Sequence, residues 1–262
     1  MRSVAVSIAS TIVFAVVVWL TIVNTPGWSR VQESFFNPEV FVTAWPRVAE
    51  GFLLNLRVLF FAAIGVLVLS LLLATLRTLR GPVFFPVRAL VAGYTDLFRG
   101  MPLIIVLYLV GFGIPGLRLT EDRIPAEVLG TVALVLTYSA YVSEVWRAGI
   151  EAVHPSQVLA ARSLGLSRGK AMRLVVLPQA LRKVTPALMN DFVAMQKDVG
   201  LISVLGAVDA VRAAQLETAA SFNFTPYVLA GLLFVLLALP MIRLTDWYTA
   251  RLRAREQVGA IV

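Results

Sequence analysis

The chain has 262 residues, 59% of them hydrophobic and 15% charged, with a net charge of +8 and a mean hydropathy of +0.84. A soluble domain has about 45–50% apolar and about 25% charged residues, so this composition argues against a water-exposed enzyme and predicts a bundle of helices in lipid. With no cysteine and one histidine, the chain also lacks the residues for disulfides, Cys/His zinc sites and cysteine nucleophiles.

The first predicted element is an N-terminal membrane helix at residues 4–23. A helix needs about 20 apolar residues to cross a hydrocarbon core of about 30 Å, and this run is too long for the apolar core of a cleaved signal peptide. Residues 1–45 are therefore expected to form a retained helix and an external linker, with Trp28 and Trp45 at the membrane interface. The second span is predicted at 51–76.

The next region contains an apolar segment interrupted by charge. Residues 83–98 include Arg88 and Asp96, which predicts an interfacial or partly inserted helix. Proline suits the first turn of a helix, because its missing N–H would have no partner there. A third span is therefore expected to begin at Pro102 and to run to about residue 116.

The second half of the chain predicts three further spans, at residues 126–146, 186–206 and 225–244. Residues 207–224 are expected to form a polar connection. The fold class is therefore an all-α polytopic membrane protein with about six transmembrane helices. Residues 46–255 are expected to form its transmembrane domain, followed by a tail at 256–262.

Topology follows from charge, because cytoplasmic loops collect Lys and Arg. The basic segments are residues 77–88, 147–185 and the C-terminal tail, so these segments and both termini are predicted to be cytoplasmic. The near-neutral segments are predicted to face outward, and they are residues 25–50, 115–125 and 207–224.

The longest polar stretch, at about residues 150–185, predicts a helix–glycine–helix segment. Ser156 is expected to cap a short helix that begins at Gln157, and Gly165 is expected to end it in the left-handed conformation.

A second short helix is predicted at residues 168–176, with Ser167 as its cap and Pro178 as its limit. A short helix held outside the bilayer fits a groove of another protein. The alternative is a solvated loop with incidental helices, and periodicity alone does not decide between them.

Two glycine patterns look like nucleotide motifs but lack the required context. The G-x-G-x-x-G pattern at residues 111–116 ends a membrane span, whereas the dinucleotide motif needs a preceding strand. Residues 165–170 have one residue too few for a phosphate loop. No cofactor is expected.

The polar stretch also carries a family resemblance. Ala160-Ala161-x-x-x-Gly165, followed by Val175-x-Leu177-Pro178, resembles the EAA loop of permease subunits in binding-protein-dependent ABC importers. Further motifs resemble the polar amino-acid branch of that family, which serves glutamate, glutamine, arginine, histidine and opines. They are Phe98-Arg99-Gly100-Met101-Pro102-Leu103, Ala140-Tyr141-x-x-Glu144-x-x-Arg147-x-Gly149-Ile150 and Leu177-Pro178-Gln179-Ala180, and the similarity covers about residues 50–250.

The chain departs from that pattern at several positions. Leu159 stands where the motif has a glutamate, and Ser156 replaces a glycine. The family's Lys-Asp-Thr-Ser becomes Lys197-Asp198-Val199-Gly200. Helix 4–23 lies outside the usual five-span core.

The resemblance implies a MetI-like fold and a non-catalytic membrane subunit that imports a polar amino acid by alternating access. It implies a prokaryotic cytoplasmic membrane and, as partners, a homodimeric ATPase, a second permease subunit of the same or a related kind, and an extracytoplasmic solute-binding protein. Nucleic acid is not expected as a partner. The residues implied to couple to the ATPase are Gln157, Ala160, Ala161, Arg162, Leu164, Gly165, Leu166 and Pro178.

Polar side chains within the spans are costly in lipid, so they are candidates for a substrate pathway. These candidates are Tyr141, Glu144, Asn190, Gln196, Lys197 and Asp198. The alternative is a packing role, in which Glu144 pairs with Arg147 and Lys197 pairs with Asp198.

Three other functions compete with this hypothesis. An ABC permease for a solute other than an amino acid would have the same architecture. A secondary transporter that works without an ATPase predicts inverted repeats, and no convincing repeat is visible in the sequence. A membrane scaffold leaves the glycine and proline spacing of the polar stretch unexplained.

Overall fold

A computed structural model describes residues 2–79, 81–118 and 123–259. The outward loop expected at 115–125 and the tail expected at 256–262 lie partly outside these ranges. All regular elements within them are helical. In chain order they are α1 (Arg2–Val23), α2 (Trp28–Phe35), α3 (Pro38–Arg77), α4 (Pro82–Gly100), α5 (Leu103–Gly116), α6 (Ala126–Glu151), α7 (Pro155–Ser163), α8 (Arg168–Leu205), α9 (Ala210–Ser221) and α10 (Thr225–Gly259).

The described residues contain four helices that are long and apolar enough to cross a membrane, and up to six spans if each of two bent helix pairs counts as one. The bent pairs are α4 with α5, at 107°, and α8 with α9, at 54°. The all-α membrane class predicted from composition is confirmed. The sharp α4–α5 bend falls at Met101 and Pro102, whose extended backbone interrupts the helix.

The predicted N-terminal helix is present as α1, and its apolar window of residues 6–23 has no buried residue. Trp19, for example, is exposed. An apolar helix with no buried face is typical of one surrounded by lipid.

Helix α3 begins at Pro38, well before the start predicted at residue 51, so part of the expected external linker is helical. The side chain of Asn37 accepts hydrogen bonds from the backbone N–H groups of Glu39 and Val40, and Pro38 occupies the first turn. The 40 residues of α3 reach about 60 Å, twice the thickness of a hydrocarbon core. The helix therefore extends beyond the membrane.

The core forms where α3, α6 and α8 pack together. Its most buried large side chains include Leu107, Leu134 and Ile202. Gly130 and Gly149 lie where α6 meets the side chains of Ile202 and Val184 of α8, and a Cβ at either glycine would overlap with them. Close backbone approach at small residues is typical of helix packing in membranes.

The polar connection predicted at 207–224 is wrong, because α9 occupies most of it. One face of α9 buries Ala210, Ala213 and Ala214 against α3 and α10. Alanine has the highest helix propensity, and its small side chain lets α9 lie close to both neighbours.

Contacts along α3 define the two ends of the molecule. At one end, the Asn37 N–H donates to the Thr225 hydroxyl at 3.0 Å, and Arg47 pairs with Glu217 at 2.8 Å. At the other end, Arg77 forms an ion pair with Glu144. Residues 25–50 and 207–224 thus share one end, and the basic segments 77–88 and 147–185 share the other, as the charge pattern predicted.

Candidate coupling segment and transport pathway

The predicted short helix outside the bundle is α7, and its first turn is capped by His154. The Nδ1 atom of His154 accepts a hydrogen bond from the Ser156 N–H at 3.2 Å and lies 2.7 Å from the Ser156 hydroxyl. The prediction that Ser156 itself is the cap was wrong. Pro155 occupies the first helical position, which leaves the preceding residue as the cap.

The end of α7 forms a turn closed by two backbone hydrogen bonds, and Gly165 makes that turn possible. Gly165 has a φ of +82°, which side-chain-bearing residues rarely adopt. Its N–H donates to the Arg162 carbonyl at 3.0 Å, and the Leu166 N–H donates to the Ala161 carbonyl at 3.2 Å. This is the Schellman pattern of helix termination, and it confirms the predicted role of Gly165 in ending the helix.

Arg162 has a structural role within that turn. Its guanidinium donates to the Leu166 carbonyl at 2.9 Å. The exposed side of the turn is apolar, because Leu159 is 67% exposed and Leu164 is 84% exposed. Gln157 and Ala160 are exposed beside them. The exposed side of the turn therefore offers two apolar side chains for contact.

The α7 turn is attached to the bundle through a small apolar cluster and one long-range hydrogen bond. Val153, Val176 and Ala180 are buried together, and Ala161 is the buried residue of α7. The Lys183 ammonium donates to the Ala152 carbonyl at 2.6 Å. We refer to residues 154–167, from the His154 cap to the Ser167 cap, as the coupling segment.

The helix after the coupling segment does not stop at Pro178. Ser167 caps it as predicted, with its hydroxyl accepting from the Lys170 N–H at 3.3 Å, but α8 continues through Pro178 and Pro186 to Leu205. A π turn at Met172–Val176 precedes Pro178. Proline lacks an N–H and its ring clashes with the carbonyl four residues earlier, and a π turn relaxes that regular spacing. The predicted limit at Pro178 was therefore wrong.

Glu144 is the centre of an ion-pair cluster. Its side chain is only 14% exposed and is paired with Arg77, with Arg147 at 2.9 Å, and more loosely with Arg99 at 3.9 Å. Arg147 also reaches Glu151 at 2.6 Å. These pairs join α3, α4 and α6 near one end of the bundle, so the pairing with Arg147 weighed in the sequence analysis is present.

The other candidate side chains fall into two groups: those that form hydrogen bonds within the protein, and those that are exposed. The Tyr141 hydroxyl donates to the Arg99 carbonyl at 3.1 Å, and Asp198 accepts from the Tyr138 hydroxyl at 2.7 Å. Gln196 is buried, with its Nε2 donating to the Phe234 carbonyl at 3.3 Å.

Asn190 and Lys197, by contrast, are exposed on α8. They are seven residues apart, which places them two turns apart on the same face of the helix. Of the six candidates, this pair presents polar groups on an open face of α8.

A buried polar junction between α3 and α9, near the middle of α3, was not found from the sequence. The Asn55 amide donates to Asp209 at 2.9 Å and to the Val199 carbonyl at 3.2 Å, and its oxygen accepts from the Ala210 N–H at 3.0 Å. Asp209 also caps α9 by accepting from the Arg212 N–H at 2.8 Å. We call Asn55 and Asp209 the α3–α9 junction.

Two sequence signals could have drawn attention to these two residues, although neither signal shows that they pair. Asn55 is the one amide in the mostly apolar second predicted span, and Asp209 directly precedes an alanine-rich segment, as a helix cap does. Gly51, one turn before Asn55, lies so close to the Asp209 backbone that a Cβ would be 2.4 Å from its carbonyl carbon.

A polar cavity of about 460 Å³ lies near the α3–α9 junction, between α5, α8, α9 and α10. It is lined by Tyr108, Ser203, Val204, Gly206, Val211, Arg212, Gln215 and Tyr227. Among the residues that the structure describes, no three His, Asp or Glu side chains are grouped as a metal site requires.

Comparison with known proteins identifies the architecture. The family described as binding-protein-dependent transport system inner membrane component matches residues 81–254. The chain belongs to this family. The matched region contains the coupling segment and all six pathway candidates.

Relatives and solved structures support this assignment. The arginine transport system permease protein ArtQ of Bacillus subtilis is 35% identical over 74% of this chain and 87% of its own length. The probable glutamine ABC transporter permease protein GlnM of the same organism is 33% identical over 73% of this chain and 87% of its own length.

A crystal structure of an amino acid ABC transporter with histidines matches with a TM-score of 0.72 and 32% identity, over 80% of this chain and 96% of that one. The inward-facing MetNI methionine ABC transporter has the same fold, with a TM-score of 0.58 at 19% identity. The chain is therefore a multi-pass ABC permease subunit of the MetI-like fold.

Proposed function

We propose that this permease imports a polar amino acid across the cytoplasmic membrane of a prokaryote, powered by ATP hydrolysis on separate subunits. The observation that carries the proposal is the coupling segment, which is rigidly capped at both ends and exposed. A rigid segment that continues into α8 transmits displacement from a docked ATPase, whereas a flexible loop would absorb it.

In this proposal the ATPase subunits dock on Leu159, Ala160 and Leu164. Exposed leucines provide apolar contact, and the small alanine allows close approach of a groove. Because Leu159 replaces an acidic residue and Arg162 is engaged in the turn, docking depends on shape and apolar contact more than on charge. The coupling segment and the basic segments beside it would then face the cytoplasm.

The substrate proposal combines the relatives with the open face of α8. The relatives are named as arginine and glutamine permeases, and an amino acid always carries a carboxylate. Lys197 provides a cation for that carboxylate, and Asn190 provides an amide two turns away. Glu144 and Asp198, which are held by arginines and by Tyr138, serve in packing and positioning.

The remaining partners follow from this arrangement. A second permease copy would complete the pathway opposite the open face of α8. An extracytoplasmic binding protein would deliver the amino acid at the end of the bundle where Arg47 pairs with Glu217.

The decisive experiment reconstitutes the chain with candidate ATPase subunits in proteoliposomes that contain ATP. Labelled arginine and glutamine are supplied with the candidate binding protein. We expect ATP-dependent uptake, and we expect that deleting residues 157–166 abolishes both ATPase copurification and uptake. Lys197→Gln should raise the KM for uptake without releasing the ATPase, since Lys197 is far from the coupling segment.

Two outcomes would replace part of this proposal. Uptake that proceeds without any ATPase would favour a secondary transporter. ATPase binding with no amino-acid uptake, but with uptake of another solute, would keep the coupling assignment and replace the substrate.

A further inference from the structure

A second cavity, of about 330 Å³, lies between α8 and α10 and is separate from the coupling segment and from the open face of α8. It is lined by Arg182, Trp247, Tyr248, Arg251 and Leu252. Arg182 adjoins Lys183, which bonds to the Ala152 carbonyl. The cavity therefore lies at the end of the bundle that carries the basic segments.

The lining is cationic and aromatic. It has two guanidinium groups and no carboxylate. Asp246, which directly precedes Trp247, does not line the cavity. The Arg251 guanidinium lies 5.2 Å from the centre of the Trp247 ring, an arrangement that holds it by a cation–π interaction. Guanidinium groups match the geometry of phosphate oxygens, to which they donate paired hydrogen bonds.

The position of the cavity along α10 matches the membrane interface. Helix α10 is apolar from Val228 to Ile242, and then carries Arg243, Trp247 and Tyr248. Tryptophan and tyrosine concentrate at the level of lipid headgroups. Leu236 is 64% exposed and precedes Trp247 by eleven residues, which places it three turns away on the same helix face.

From these observations we propose that the cavity binds the headgroup of an anionic phospholipid. Arg182 and Arg251 hold the phosphate, Trp247 and Tyr248 pack against the glycerol region, and an acyl chain lies along the exposed apolar face of α10 at Leu236. Basic pockets between membrane helices are suited to anionic headgroups. A soluble phosphate would satisfy the arginines but would leave the apolar face of α10 unused.

The test measures contact between the lipid and Trp247. The full chain, purified with the subunits that copurify with it, is placed in phosphatidylcholine nanodiscs. Phosphatidylglycerol or phosphatidylcholine with brominated acyl chains, which quench nearby tryptophans, is then titrated in. The Trp247 signal is the difference between the native chain and Trp247→Phe.

We expect brominated phosphatidylglycerol to quench Trp247 at a lower mole fraction than brominated phosphatidylcholine. Arg182→Gln and Arg251→Gln should each weaken the apparent affinity for phosphatidylglycerol by about tenfold or more, because each loses charge-assisted hydrogen bonds to the phosphate. Arg243→Gln is the matched control, since it removes the same charge from α10 outside the cavity. It should lose only the general attraction of one cation to an anionic surface, which is about fivefold at most.

A variant is compared only if its melting temperature equals that of the native chain. If Arg182→Gln fails that criterion, Arg182→Lys replaces it, and we expect a smaller loss because the charge remains and the paired donors do not.

Four results would overturn the proposal. They are equal quenching by the two lipids, an equal effect of Arg243→Gln, displacement of the lipid by soluble glycerol phosphate, and no quenching by either lipid. The third result would identify a site for a free anion, and the fourth would show that another subunit covers the cavity.

Discussion

The coupling segment and the α3–α9 junction are both polar structures at which a helix begins, but they are stabilised in opposite ways. The coupling segment is closed by hydrogen bonds between residues close in sequence, and its leucines are exposed. The junction joins Asn55 to Asp209, residues 154 positions apart, and both are buried. Damage to the junction should therefore lower the stability of the whole bundle, whereas damage to the coupling segment should change function and leave the bundle folded.

The largest effect is expected from Asp209→Ala at the junction. Loss of the α9 cap costs about 1 kcal/mol, and the Asn55 amide left without this partner costs about 1–3 kcal/mol more. The melting temperature of the purified chain should fall clearly.

Asp209→Asn, which keeps an oxygen for the cap, should fall between this variant and the native chain. Asp96→Ala, at an exposed position, is the control. An unchanged melting temperature for Asp209→Ala would contradict the structural role of the junction.

Gly51→Ala should destabilise the same region by a somewhat smaller amount. Its Cβ would overlap the Asp209 backbone, which cannot rotate away as a side chain can, and overpacking of this kind costs about 1–3 kcal/mol. Gly93→Ala is the matched control, because nothing lies within 4 Å of its added carbon. Thermal unfolding should separate the two variants, and equal melting temperatures would show that α3 and α9 can move apart.

In the coupling segment, Gly165→Ala should impair function more than stability. Alanine in the left-handed conformation costs about 1–2 kcal/mol, so the turn opens or shifts and the leucines lose their fixed position. We expect weaker copurification of the ATPase and slower uptake, with an unchanged melting temperature of the bundle. Gly169→Ala, in the following helix and with open space around it, should behave like the native chain.

The smallest effect is expected from Leu159→Glu, which places an acid where the EAA motif has one. The variant loses the apolar contact of Leu159, and an exposed charge pair restores only about 0.2–1 kcal/mol. ATPase affinity should therefore fall, but by less than it does in Leu159→Gln. Leu159→Gln controls for the loss of the leucine. Binding is measured at low and at high salt. Any advantage of Leu159→Glu over Leu159→Gln should disappear at high salt, because salt screens an exposed charge pair. An unchanged affinity in both variants would contradict docking of the ATPase on Leu159.

The contrast between the two regions also explains what the sequence could predict. The coupling segment depends on local rules, so Gly165 and Ser167 were assigned correctly from neighbouring residues. The error at Ser156 concerns which of two residues, two positions apart, caps a helix. The error at Pro178 concerns whether a π turn precedes a proline.

Contacts between residues far apart in the sequence could not be predicted. The sequence contains nothing that pairs Asn55 with Asp209 or Asp198 with Tyr138, because the packing of separate helices decides those partners. The same reason explains α9, whose alanine face becomes recognisable as a buried face only when α3 and α10 are in place. The approximate positions of the spans could be predicted from composition, but the bounds of α3 and α8 could not.

Helix α8 connects the coupling segment to a distant part of the bundle. It starts at the coupling segment and ends one short turn before Asp209, over about 55 Å of helix. If α8 tilts about its middle, it acts as a lever with two arms of similar length. If docking shifts the ATPase end by a few ångströms, the end beside the α3–α9 junction shifts by a similar distance in the opposite direction. A displacement of the coupling segment would thus reach the α3–α9 junction along one continuous helix.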